Sequence, residues 1–93
     1  MFIGTCQVDI HLPESSSLKK KRQLLKRIKD RVRNQFNVSI AEVGNNELWQ
    51  RATLGISVVS NDRRYANQVL NQVVEHIGQE NGILILDFSL EIF

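Results

Sequence analysis

The order in which two hydrophobic periods alternate along the 93 residues is the tightest constraint on what this chain can become. Residues 2–12 set apolar or small side chains at Phe2, Gly4, Cys6, Val8, Ile10 and Leu12, with Thr5, Gln7, Asp9 and His11 between them. A period of two marks a strand with one buried face. Pro13 stops it, and Ser16 or Ser17 offers the side-chain oxygen that caps a helix. Leu18, Leu24, Leu25, Ile28 and Val32 then form one stripe at helical spacing, which predicts a helix as far as Gln35. A second strand is predicted over residues 36–43, with Phe36, Val38 and Ile40 inward, before a turn at Gly44-Asn45-Asn46. The third returns over residues 48–60 with Leu48, Ala52, Leu54, Ile56 and Val58 inward. Ser60-Asn61-Asp62 supplies capping groups, and Tyr65, Ala66, Val69, Leu70, Val73 and Ile77 repeat at helical spacing to Gly78. Asn81-Gly82 breaks the chain before a last strand over residues 83–93.

Strand, helix, strand, strand, helix, strand, with right-handed crossovers flanking a hairpin, has one compact solution. It is an α+β, ferredoxin-like βαββαβ sandwich: a four-stranded antiparallel sheet in the order 4-1-3-2, with two helices on one face. At this length a single domain spanning 1–93 with one core is expected. The bare outer face, with Thr5, Gln7, Ser39, Ala41, Thr53, Gly55, Ser57 and Ser89, is small and mildly polar, so a homodimer through the open sheet face is expected.

Charge is distributed unevenly. Residues 13–36 hold nine cations (Lys19, Lys20, Lys21, Arg22, Lys26, Arg27, Lys29, Arg31, Arg33) against Glu14 and Asp30, a balance of +7; the whole chain nets +2, so the remainder carries −5. Fields act within about one Debye length, roughly 8 Å at physiological salt, so the local surplus matters more than the total. Lys19 to Arg22 also occupy the first helical turn, where the macrodipole favours acids by about 0.3 to 1 kcal/mol each. A sequence that breaks a local rule often does so at a functional site. Lys21 projects into the apolar stripe, and two readings stay open: its ammonium snorkels past the helix end, or it points into a shallow anion pocket.

Other chemistries find little support. No stretch approaches the roughly 20 apolar residues of a membrane-spanning helix, and the lone Cys6 makes neither an internal disulfide nor a Cys-x-x-Cys site. A cytoplasmic protein with no membrane association is expected. His11 and His76 lie in different elements without triad spacing, no metal-ligand run or nucleotide-binding loop occurs, and neither cofactor nor metal is expected. No residue is assigned a catalytic role. The central strands lack the aromatics on which an RNA-recognition motif stacks bases, and no G-x-x-G clamp is present.

Leu12-Pro13-x-Ser15-x-Ser17-Leu18-Lys19-x-Lys21-Arg22, Ala41-Glu42-Val43-Gly44, Leu48-Trp49-Gln50-Arg51-Ala52 and Val59-Ser60-Asn61-Asp62 together resemble the YlxP-like family of small bacterial proteins, a domain of unknown function. The resemblance spans nearly the whole chain. It implies a ferredoxin-like fold and, from the gene neighbourhoods such proteins occupy, an association with translation or ribosome maturation; it implies no reaction. Ser16 and Lys20 depart from the family pattern, which often has His and an acidic residue there.

The expected function is therefore that of a binding module docking its first helix on structured RNA or a ribosomal particle. Lys19, Lys20, Lys21, Arg22, Lys26, Arg27 and Arg33 are the expected phosphate contacts, and the turn from Ser15 to Ser17 adds backbone donors. Trp49 with Arg51 is the expected partner anchor. Two alternatives stand beside it: a small-molecule phosphate-binding enzyme or sensor using the N-terminus of that helix with Lys21 and Ser17, and a protein-binding or oligomeric adaptor.

Overall fold

The computed structural model describes residues 1–93 as β1 (Phe2–His11), α1 (Leu18–Gln35), β2 (Ser39–Gly44), β3 (Arg51–Ser60), α2 (Arg63–Gly78) and β4 (Leu84–Ile92). The strands form one antiparallel sheet in the order β2-β3-β1-β4, the expected order read from the other edge. Both helices lie on one face, α2 across β1, β3 and β4, and α1 along β2 and the side of α2. No helix is long and apolar enough to cross a membrane.

Nineteen buried apolar residues make one core between sheet and helices. Cys6, Val8, Ile10 and Leu12 supply it from β1 and its end, Ala52, Leu54, Ile56 and Val58 from β3, and Leu25, Ile28 and Val32 from α1. Gly4 continues the inward row because α2 passes close above it: a Cβ there would lie 2.8 Å from Leu70 Cδ1. Ser17 caps α1 by accepting from the Lys20 amide, and Asp62 caps α2 by accepting from the amides of Arg64 and Tyr65.

Three expectations fail at element ends. Phe36 belongs to the C-cap of α1, its amide donating to Val32 O, so β2 begins only at Ser39. Leu48 lies in the β2–β3 loop and is exposed, because β3 does not start until Arg51. Tyr65 sits in the first turn of α2, beyond the reach of the core, and is exposed as well. Turn chemistry holds: Asn45 adopts φ 60° and Gly82 φ 82°, left-handed positions that Asn and Gly tolerate.

Both sheet edges are blunted. Ile3 and Phe93 exchange both backbone hydrogen bonds, at 2.9 and 2.8 Å, which sets the alternation across the whole sheet. By that phase the carbonyl of Ile40 and the amide of Phe88 point outward from the two edge strands. Arg33 Nη2 donates to Ile40 O at 2.9 Å, and the Phe88 amide donates to its neighbour Asp87 Oδ1 at 2.9 Å. Side chains thus occupy groups that another strand would otherwise use.

Burial pushes the Cys6 thiol from 9.0 up to about 11. The folded chain therefore keeps the proton longer than the unfolded chain, so this thiol costs no stability below pH 9 and lowers stability as pH rises from 9 towards 11. Cys6→Ala removes that loss. In urea unfolding, the stability gap between wild type and Cys6→Ala is expected to shrink by about 2 kcal/mol across that window.

Candidate nucleic-acid interface

The nine cations of α1 do not form one uniform surface, because their neighbours sort them. Lys21 is the extreme case, only 1% exposed. Its ammonium donates to the carbonyls of Asn45 (3.0 Å), Asn46 (3.1 Å) and Arg51 (3.2 Å), which come from both ends of the β2–β3 loop. Glu42 Oε2 lies 2.8 Å away, at an angle that makes the contact an ion pair and not an aligned hydrogen bond. Lys21 therefore neither snorkels nor lines an anion pocket, and as a phosphate contact it is corrected: its charge is neutralised and its donors are satisfied inside the fold.

The serine turn is corrected in part for the same reason, since one of its expected backbone donors, the Ser15 amide, is spent on Leu12 O at 3.1 Å. Ser15 is buried and its hydroxyl donates to Ser17 O at 3.3 Å, while the Ser17 hydroxyl is occupied as the helix cap. Gln50 closes the other side of this junction. Its Nε2 donates to Pro13 O (3.1 Å) and Ser15 O (3.4 Å), and its own carbonyl accepts from the Leu12 amide at 2.9 Å. Leu12 to Lys21, Glu42 and Asn45 to Arg51, scattered in sequence, are thus one hydrogen-bonded knot at the end of the sheet where α1 begins.

The remaining cations divide by flank. On the side facing α2, Arg31 Nη1 pairs with buried Glu80 Oε2 at 2.8 Å, and Arg27 Nη2 donates to Asn81 O at 3.3 Å. On the side facing β2, Lys19, Arg22, Lys26, Lys29 and Arg33 recur at alternating three- and four-residue spacing, a row about 21 Å long at 1.5 Å rise per residue. Asp30 is the one acid within reach of it, bonded to Lys26 Nζ at 2.7 Å and 3.9 Å from Arg33 Nη1. The Lys26 hydrogen bond, helped by the charges of Lys26, Arg33 and Lys29, holds this exposed carboxyl below the ordinary aspartate range. Lys19, Lys20, Arg22 and Lys29 have no acidic partner.

Trp49 is exposed in the β2–β3 loop and does not lie on the open sheet face. A hollow of about 420 Å³ beside it is lined by Glu47, Leu48, Trp49, Gln50 and Arg51. Arg51 opens β3, half-buried, and its guanidinium makes no hydrogen bond or ion pair, its Nε being buried without a partner. The knot that fixes this loop went unread in the sequence, although an acid at Glu42 on an otherwise inward β2 position was a signal for a buried cation opposite it.

Comparison with known proteins agrees with the resemblance. Residues 3–90 match the family model described as Protein of unknown function (DUF503). The chain belongs to this family. It is 43% identical over 76 residues to the uncharacterized protein YlxP of Bacillus subtilis (strain 168), covering 82% of this chain and 83% of that one. A de novo designed protein with a ferredoxin fold superposes with a TM-score of 0.56 at 18% identity, over 100% of this chain and 84% of that one. A C-terminal segment of the alpha subunit of aIF2 from Pyrococcus abyssi gives 0.51 at 20% identity, over 95% of this chain and 49% of that one. These two likenesses establish the ferredoxin-like fold and nothing about binding.

Removing the Lys21 ammonium leaves Glu42 and three carbonyls facing apolar surroundings. Lys21→Met is expected to cost about 3 kcal/mol in urea unfolding, within the range for breaking a buried pair. In a double-mutant cycle with Glu42→Gln, the combined loss is expected to be less than the sum, since neutralising Glu42 removes part of what Lys21 compensates.

Proposed function

We propose that this protein is a non-catalytic binding module that docks the β2-side flank of α1 on the phosphate backbone of structured RNA. The observation that carries the reading is the cation row: after every ion pair in the fold is counted, Lys19, Arg22 and Lys29 remain unpartnered along it, with Lys26 and Arg33 sharing the single Asp30. Lys20 adds an unpartnered charge on the other flank. Such a row repels itself in the free protein and gains affinity by releasing counterions from a polyanion. Contacts of this kind position a protein without specifying sequence. The setting in translation or ribosome maturation rests on the family resemblance.

A small phosphorylated ligand at the start of α1 has less support, since Lys21, Ser15 and Ser17 spend their polar groups within the fold. We propose separately that two copies meet through the open sheet face. Ile3 pairs with both Val59 and Phe93, so three exposed apolar side chains line up across β3, β1 and the end of β4 on that face.

Binding of a fluorescent RNA hairpin over a salt series is expected to give a log–log slope of about −4, as about five neutralised phosphates require. Lys19→Glu/Arg22→Glu/Lys29→Glu is expected to abolish binding. The thermal midpoint should not fall, because acids at positions 19 and 22 suit the helix dipole and an acid at position 29 stands three and four residues from Lys26 and Arg33. Unchanged affinity in the triple variant would remove the assignment to α1. For the dimer, sedimentation should show Val59→Glu as a monomer at concentrations where wild type self-associates; a wild type that stays monomeric throughout rejects that interface.

A further inference from the structure

The reading of α1 as a phosphate track leaves Trp49 unused, and the fold holds it in a definite relation to that track. Both chain neighbours of Trp49 are tied to the start of the helix: Gln50 through its bonds to Pro13 and Ser15, and Arg51 through the bond from Lys21 to its carbonyl. The loop also closes the end of β2, the strand beside which the cation row runs. An aromatic side chain, 56% exposed, therefore belongs to a loop that Lys21 and Gln50 tie to the start of α1, the end of the helix at which the row begins. Side chains of this size are seldom left in water on a tethered loop without something to cover them.

The hollow beside Trp49 separates one occupant from another. On its rim Glu47 repels a phosphate group while Arg51 draws it, so the balanced charge gives the backbone that α1 holds no net reason to continue into it. A base has no such conflict. Its face stacks on an indole whatever its identity, and its edge carries both donors and acceptors, for which Glu47 supplies an acceptor and the unpartnered Arg51 guanidinium a set of donors. A base inside a duplex cannot reach such a surface.

We infer that the Trp49 hollow takes an unpaired nucleobase next to the stretch of backbone held by α1. The preferred substrate class is then RNA in which a single-stranded nucleotide adjoins a helix, such as a hairpin loop, bulge or overhang. This inference rests on the phosphate-track reading, and the experiment distinguishes failure of one from failure of the other.

Trp49 is the sole tryptophan of the chain, so its emission reports on the hollow directly. The wild-type protein is titrated at one salt concentration with a blunt RNA duplex and with the same duplex carrying a short single-stranded overhang. The overhang RNA is expected to bind at least about fivefold tighter and to quench the emission, as one stacked base provides. Trp49→Ala should lose the preference while keeping the duplex affinity and salt slope, and Trp49→Phe should retain part of the preference. Equal binding of the two RNAs with unchanged emission overturns the base site and leaves the track intact. Equal loss of both RNAs in Trp49→Ala also overturns it, and no binding of either RNA by wild type overturns both readings.

Discussion

A buried ammonium group tolerates few surroundings, and the rest of this structure is arranged around one. Withdrawing the Lys21 charge from water is costly unless oxygen atoms replace the lost hydration. Four do so: one carboxylate oxygen from β2, two carbonyls from the loop that follows it, and the carbonyl of Arg51 at the start of β3. The carbonyls of Asn45 and Asn46 can converge on one point because Asn45 takes a left-handed backbone conformation. The same point lies beneath the first turn of α1, so one side chain fixes how the helix start, the edge strand and the hairpin loop sit against each other. Gln50 repeats the connection from the opposite direction.

With Lys21 internal, the other basic residues of α1 acquire distinct roles from their positions around the helix. Arg27 and Arg31 fasten the helix to the α2–β4 connection, and Arg33 covers the open carbonyl of the edge strand. These three are structural cations whatever else they touch. The unpartnered set is the one that needs a reason beyond stability, since Lys19 and Lys20 oppose the helix dipole and Lys19 and Arg22 are like charges three residues apart. A polyanion offers that reason, and the concentration of the charge on one flank gives it a direction. Trp49 stands in the loop that the Lys21 knot holds against the start of α1.

Much of the fold was legible from residue order. A period of two over Phe2 to Leu12, helical spacing from Leu18 to Val32, and Asp62 ahead of Ala66, Val69 and Leu70 gave strands, helices and a cap that the structure repeats. The failures cluster where elements end. Phe36, Leu48 and Tyr65 each extend an apolar period by one position past the point at which the neighbouring layer stops covering it. Periodicity records which side of an element is apolar and carries no information about how far the opposing surface reaches.

The candidate site divides along the same line. The sequence by itself determined that α1 would be amphipathic, intensely basic and capped by a serine, because these follow from residue types at local spacing. It also determined that Lys21 would fall on the buried stripe. What that burial meant was decided only by tertiary structure, since the atoms that receive the ammonium belong to residues 21 to 30 positions away along the chain. Which cations remain free, and where Trp49 stands relative to them, were decided there too. Spacing along a helix is fixed by covalent geometry, whereas the partner of a charge is fixed by whichever distant oxygen the folded chain brings within 3 Å or so of it.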